Sequence, residues 1–182
     1  MRTIQLWEEK IRPIKIRELF SSRIQDDLKR IPFPELPERT EGCFIHAPTG
    51  YGKTIMAAFM LLQEEKRMYL EVIPGHCKFI STLDIFSEIK STFDNKEGKT
   101  EQEIIKFYRE VPLLVLDDFG TRKPTDWVYD VLYLIINYRY EWMLPTIFTS
   151  NLNLNEISKV YGDDRLTSRI ERMGKVLKLQ KY

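Results

Sequence analysis

Residues 47–54, Ala-Pro-Thr-Gly-Tyr-Gly-Lys-Thr, have the types and spacing of a loop that binds phosphate groups. Gly50 and Gly52 allow a tight turn in which successive backbone N–H groups face a polyphosphate. The amine of Lys53 can then reach the β- and γ-phosphates, and the hydroxyl of Thr54 can bind Mg²⁺. The stretch therefore predicts a nucleotide site of the P-loop, or Walker A, type.

The flanking sequence favours this prediction over a Gly-Lys-Thr turn that arises by chance. An apolar run at residues 43–45 predicts a strand before the loop, and residues 54–66 predict a helix after it. The start of that helix would add unpaired N–H donors and a partial positive charge. Ala47 stands where the usual pattern has glycine, but alanine is the smallest alternative, so we expect binding to survive. The predicted phosphate-binding residues are Pro48, Thr49, Gly50, Tyr51, Gly52, Lys53 and Thr54.

A second group of candidate residues follows the aliphatic run at 113–116, which predicts a strand buried on both faces. Asp117 and Asp118 lie at its carboxyl end, where open α/β sheets bind ligands. We expect Asp117 to hold Mg²⁺ beside Thr54, mostly through water, and Asp118 to orient or deprotonate the attacking water. Paired acids after a strand are also common in turns. The P-loop upstream favours the catalytic interpretation, a Walker B motif.

Polar residues near the C-terminus are further candidates. The predicted strand 145–150 ends at Asn151, whose amide can hydrogen-bond the γ-phosphate or its water, or can merely cap the next turn. From Arg165 onward six basic residues stand against Glu171 alone. Arg165 and Arg169 are i,i+4 neighbours and project from one side of a predicted helix. Two such guanidinium groups can meet a phosphate presented by another subunit, although a solvated basic face is the ordinary explanation.

Length and composition predict a globular chain with one main domain. The 182 residues are 43% hydrophobic and 30% charged, and the net charge of +1 means that a nucleic acid would have to be bound by a local patch. Cys43 and Cys77, without metal-ligand spacing or a signal peptide, predict a protein of the reducing cytoplasm. No apolar run is long enough to predict a membrane span.

The pattern of apolar residues predicts an N-terminal segment, residues 1–41, before a domain at 42–182. Residues 14–31 have helical spacing, and their apolar face could cover the domain's own sheet or dock another protein. Residues 31–37 contain three prolines and predict an extended connector. Further helices are predicted at 83–93, 101–109, 126–142, 155–160 and 165–173, and further strands at 78–82 and 176–180.

From Gly42 onward the chain resembles the DnaC/IstB group of AAA+ ATPases, which includes replicative-helicase loaders and transposon-targeting ATPases. The resemblance rests on residues 48–54, on Leu-Leu-Val-Leu-Asp-Asp-Phe-Gly at 113–120, on 137–140 with 144–152, and on Asp-Arg-Leu-Thr-Ser-Arg-Ile at 164–170. It implies an α/β P-loop NTPase of the ASCE/AAA+ type, a three-layer sandwich with helices on both faces of a parallel sheet. The implied strand order is 5-1-4-3-2, without a C-terminal lid domain.

The resemblance also implies roles for particular residues. Asn151 becomes the sensor of the γ-phosphate, and Arg169 the arginine finger, with Arg165 as second choice. The region 83–109 corresponds to a helical insertion that helps the group contact single-stranded DNA, although here it is not markedly basic. The implied cofactors are ATP and Mg²⁺, and the implied self-association uses the Arg169 face.

The function expected from these features is that of an ATPase in DNA replication. It would load a replicative helicase, assemble with ATP, bind single-stranded DNA weakly, and hydrolyse ATP slowly as a monomer. The short N-terminal segment suggests a compact phage or mobile-element version. Three alternatives stay open: an IstB-like ATPase that targets transposition, a small-molecule P-loop kinase, and an ATP switch that does not hydrolyse.

Overall fold

Five short strands form one parallel sheet at the centre of the computed structural model, which describes residues 20–30, 40–71, 73, 75–92 and 98–180. The strands are β1 (Cys43–His46), β2 (Lys78–Ser81), β3 (Leu114–Asp117), β4 (Thr146–Ser150) and β5 (Lys175–Lys178). Their order across the sheet is β2-β3-β4-β1-β5. Read from the other edge, this is the expected order 5-1-4-3-2, so the predicted topology is confirmed.

Seven helices of the described part surround the sheet. They are α1 (Ser22–Arg30), α2 (Lys53–Leu70), α3 (Thr82–Lys90), α4 (Glu101–Glu110), α5 (Asp126–Glu141), α6 (Leu154–Tyr161) and α7 (Arg165–Arg172). Strand residues alternate between two cores. Ile45 and Ile147 pack with α1 and α2, whereas Phe44 and Phe148 pack with α3 to α7. Helices therefore cover both faces, which gives the predicted three layers.

Local sequence explains why some boundaries differ from the prediction by a few residues. The Ser81 side chain accepts a hydrogen bond from the Asp84 N–H, so Thr82 opens α3 rather than ending β2. Asn153 and Glu156 form a capping box that begins α6 at Leu154. The helix after the P-loop continues to Leu70, because its sequence has no breaker at the predicted end. No helix of the described residues is long and apolar enough to cross a membrane.

The first described helix packs on its own domain. Leu28 of α1 is buried, and Phe20 makes an edge contact with Phe79 of β2 at 5.3 Å between ring centroids. Both residues belong to the core on the α2 side of the sheet. The described part of the predicted N-terminal helix therefore covers the domain rather than standing away from it. Residues 14–19 and the proline-containing connector lie outside the described residues.

Arg139, near the end of α5, is the largest fully buried side chain of the described part. Its Nη1 donates to three carbonyl oxygens, those of Tyr108, Arg109 and Val111, at 2.8–3.2 Å. Its other nitrogens bond the Pro145 carbonyl at 2.7 Å and a threonine hydroxyl at 2.8 Å. Burial lowers the pKa of the guanidinium to about 9. The arginine thus ties the entry of β3 to the entry of β4.

Replacing Arg139 by methionine should destabilise the fold, since several buried carbonyl groups would lose their donor. We expect the free energy of unfolding to fall by roughly 2–4 kcal/mol in chemical denaturation. Arg139→Lys should also be destabilising, because an ammonium lacks the planar five-donor fork. The exposed Arg122→Met is the matched control and should stay near wild type. An Arg139→Met variant within about 0.5 kcal/mol of wild type would contradict this role.

Candidate nucleotide-binding site

The loop between β1 and α2 has the backbone of a phosphate cradle. Gly50 and Gly52 have φ values of 86° and 81°, in the left-handed region that favours glycine. Gly52 caps α2 without a side-chain hydrogen bond, so no side chain takes the place of an anion at the helix start. Ala47 is not among the residues with positive φ in the described part, which explains why alanine is accepted there.

Lys53 spans the space between the loop and the end of β4. Its Nζ donates to the carbonyl oxygens of Ala47 at 2.7 Å and Pro48 at 3.0 Å, and to Asn151 Oδ1 at 2.8 Å. Burial lowers the pKa of the Lys53 amine, while the carboxylates of Asp118 and Asp117 oppose that shift. The predicted phosphate-binding lysine and the predicted sensor are therefore in direct contact, although 98 residues separate them in sequence.

Thr54 and Asp117 meet where α2 begins and β3 ends. The Thr54 hydroxyl lies 3.1 Å and 3.3 Å from the two carboxylate oxygens of Asp117. Burial raises the pKa of Asp117, and hydrogen bonds from Thr149 and Thr54 oppose the increase. Among the described residues there is no group of three or more His, Cys, Asp or Glu that could hold a metal ion. One hydroxyl and one carboxylate fit Mg²⁺ that is bound together with phosphate oxygens and water.

Asp118 lies at the edge of this site in an unusual conformation. Its φ of 59° is left-handed, which aspartate tolerates better than most residues. Its backbone N–H donates to the Thr149 hydroxyl at 3.1 Å, and its carboxylate accepts from Asn151 Nδ2 at 3.4 Å. Asn151 therefore stands between Lys53 and Asp118, with its amide oxygen on the first and its amide nitrogen on the second.

Two threonines that the sequence did not single out hold Asp117, one by its carboxylate and one by its backbone carbonyl. The Thr149 hydroxyl donates to Asp117 Oδ1, and the Thr82 hydroxyl donates to the Asp117 carbonyl at 3.0 Å. Both are β-branched residues in or beside strands, so the residue type alone predicted only that they pack in the sheet. The available signal was position, because Thr149 lies one residue before the end of a strand that neighbours β3.

The two candidate arginines lie on α7 and make contacts of a different kind. Arg169 donates from Nε to Asn137 Oδ1 at 2.6 Å and from Nη2 to the Tyr133 hydroxyl at 2.8 Å. Arg165 pairs with Asp163 at 2.7 Å, and its side chain is 60% exposed. Within the described part, the contacts of both arginines are with α5, with α7 and with the loop before it. The structure therefore brings together the P-loop, Asp117, Asp118 and Asn151, and leaves the arginines outside that group.

The chemistry available at this site is the binding of a polyphosphate with one divalent ion. The loop supplies backbone donors and Lys53 a positive charge. Thr54 and Asp117 supply oxygen ligands. Asp118 and Asn151 supply an acceptor and a reorientable amide at the outer edge. Such a set of groups is able to position a phosphoryl group and to stabilise negative charge on it.

Comparison with known proteins gives results that agree with this geometry. A family model described as IstB-like ATP binding protein matches residues 20–175. The replicative helicase loader DnaI of Bacillus subtilis is 28% identical over 118 residues, 64% of this chain and 35% of that protein. The replicative helicase loader DnaC of Escherichia coli K12 is 31% identical over 98 residues, 54% of this chain and 39% of that protein. The matched regions therefore span less than half the length of these curated relatives.

A solved structure extends the likeness to the fold. The crystal structure of the DnaC helicase loader superposes with a TM-score of 0.64 and 26% identity, covering 89% of this chain and 93% of that one. The resemblance to the DnaC/IstB group is thus confirmed, as is the P-loop AAA+ fold class. Because the family model covers more than half of the sequence, this chain belongs to the family of IstB-like ATP-binding proteins.

Proposed function

We propose that this protein binds ATP with Mg²⁺, hydrolyses it, and serves as a helicase loader in DNA replication. The observation that supports this most is the contact of Lys53 with Asn151, which joins the phosphate-binding loop to a polar group on a neighbouring strand end. Thr54 and Asp117 lie beside it as the residues that would hold Mg²⁺. When bound, the ion would neutralise charge that develops on the phosphate oxygens.

For hydrolysis we assign Asp118 as the group that orients the attacking water and accepts its proton. Its carboxylate is exposed and contacts Asn151, so it faces the space next to the loop rather than the core. An aspartate is one methylene shorter than a glutamate in such a role. The left-handed backbone of Asp118 changes the direction of its side chain at the strand end, which offers a way for the shorter acid to reach the water.

We infer that active sites are completed between subunits, with Arg169 reaching a neighbour's nucleotide. Support comes from its place on α7, since its contacts are with Tyr133, Asn137 and Arg165 rather than with Lys53 or Asp117 of its own chain. A guanidinium delivered by a second protomer would stabilise charge on the γ-phosphoryl group. Arg165, which is more exposed, is the second candidate for this role.

The partners follow from the relatives rather than from this site. Two matched proteins are named as replicative helicase loaders, so a replicative DNA helicase is the proposed protein partner. Single-stranded DNA is the proposed nucleic acid, bound weakly by one subunit and more tightly when ATP assembles several. The family is also IstB-like, so recruitment of a transposase is the second candidate. Pull-down from the native host separates them, because it recovers either a helicase or a transposase.

Lys53→Ala should abolish most nucleotide binding, since backbone N–H groups cannot replace the charge of the amine. Titration of a fluorescent ATP analogue in the presence of Mg²⁺ measures this, and we expect affinity to fall by at least about tenfold, or roughly 1.4 kcal/mol. Lys159→Ala, which removes an exposed lysine of α6, is the control and should bind as wild type. Equal affinity in wild type and Lys53→Ala would refute the nucleotide site.

Asp118→Asn should keep nucleotide binding and lose turnover, because an amide is a poor proton acceptor. We expect the rate of phosphate release to fall by about 10²–10⁴-fold. Asp130→Asn, an exposed aspartate of α5, tests whether loss of one negative charge is enough to explain the effect. If Asp118→Asn hydrolyses ATP at the wild-type rate, another group serves as the base.

Sharing of sites between subunits is tested by mixing two defective variants. Arg169→Ala should bind ATP normally and hydrolyse it slowly, and Lys53→Ala should not bind it. A mixed interface can pair an intact loop from the first with an intact arginine from the second, so mixing should restore part of the activity. Size-exclusion chromatography with ATP confirms co-assembly. Co-assembly without restored hydrolysis would mean that Arg169 does not act on a neighbouring subunit.

A further inference from the structure

The side chain of Thr149 contacts both consecutive acids of the candidate site through one oxygen atom. Its hydroxyl is within hydrogen-bond distance of Asp117 Oδ1, and the Asp118 N–H reaches the same oxygen at 3.1 Å. An ionised carboxylate can only accept and an N–H can only donate. The hydroxyl proton therefore points to Asp117, and an oxygen lone pair accepts from Asp118. The donor and acceptor roles of Thr149 are fixed by its partners.

The backbone carbonyl of Thr149 also accepts a hydrogen bond from Phe119, the residue that follows Asp118. The Phe119 N–H donates to the Thr149 carbonyl at 2.8 Å, so two consecutive N–H groups after β3 bond one residue of β4. This pairing accompanies the left-handed φ of 59° at Asp118. A non-glycine residue adopts that region only at a free-energy cost, which surrounding bonds have to offset. Thr149 supplies two of them.

The position of Thr149 in the sheet is one where an apolar residue would otherwise be expected. Ile147, two residues earlier and therefore on the same face of β4, belongs to the core beside α2. Thr149 is itself only 1% exposed, so water cannot readily replace a lost partner. A buried hydroxyl is unfavourable unless it is hydrogen-bonded. The two contacts with the acids account for a polar residue at this place.

We propose that Thr149 is a positioning residue of the nucleotide site, which sets the Asp117 carboxylate for Mg²⁺ and the Asp118 turn for hydrolysis. This inference rests on the proposed function. Thr54 is expected to bind the ion through its hydroxyl oxygen, whereas Thr149 bonds Asp117 from the adjacent strand. Outer partners of metal ligands typically alter metal affinity or activity by about 10–100-fold when they are removed.

The test compares Thr149→Val, which keeps the shape and loses the hydroxyl, with Thr149→Ser, which keeps the hydroxyl. Two quantities are measured: the ratio of ATP-analogue affinities with and without Mg²⁺, and the rate of phosphate release at saturating ATP. In Thr149→Val we expect both to fall by about 10–100-fold, while binding without Mg²⁺ changes by less than about twofold. Thr149→Ser should return both to within about threefold of wild type.

A core variant separates positioning from general loss of stability. Ile136→Val shortens a buried side chain of α5 and should lower the stability of the fold without affecting either measured quantity. Thr149→Cys, whose thiol is a weak donor, is measured by the same criteria if Thr149→Val does not fold. The proposal would be overturned if Thr149→Val, or Thr149→Cys in its place, showed wild-type values of both quantities. It would also be overturned if nucleotide affinity fell equally with and without Mg²⁺.

The same measurements on the wild-type protein distinguish failure of the proposed function from failure of the positioning role. Absence of nucleotide binding in the wild type would refute the proposed function, and the positioning role with it. Binding and hydrolysis by the wild type, together with normal values in Thr149→Val, would refute only the role of Thr149.

Discussion

The parallel arrangement of β1, β3 and β4 is the constraint on which the site depends. These strands are neighbours in the sheet and run in the same direction, so their carboxyl ends meet at one edge. Residues far apart in sequence are thereby placed within hydrogen-bond distance, as Lys53 and Asn151 show at 2.8 Å. An antiparallel neighbour would have placed the end of one strand beside the start of the other and separated these groups.

The two-residue period of a strand adds a second constraint, because it decides which side chains face α2. Val115 and Ile147 pack in the core on that side. Asp117 and Thr149 each follow by two residues, and their side chains meet there. Thr54, the second residue of α2, lies at the same place and also contacts Asp117. The apolar rows of the core thus end in the polar groups that would hold an ion.

Local sequence was sufficient to predict the loop and the acids, because their types and spacing are contained within short stretches. Gly50 and Gly52 have the left-handed backbone that a tight turn needs. The phosphate contact of Lys53 stays a prediction, and its contact with Asn151 was not foreseen. Thr149 was predicted only as part of a strand, since its partners lie 31 and 32 residues away and depend on which strands are neighbours. The burial of Arg139 could not be predicted for the same reason. This arginine lies on a predicted helix, and its burial depends on carbonyl groups at the starts of two strands.

The proposed role of Arg169 toward another subunit is compatible with the contacts that this side chain makes in its own chain. Three of its five N–H groups bond Asn137, the Arg165 carbonyl and Tyr133. The guanidinium carbon also lies 4.8 Å from the centre of the Tyr133 ring, a distance at which a cation is attracted to an aromatic face. Each Nη still has one N–H that these bonds do not use. Because the bonds and the ring fix the plane of the guanidinium, binding a phosphate in this pose would cost less side-chain entropy than immobilising a free arginine.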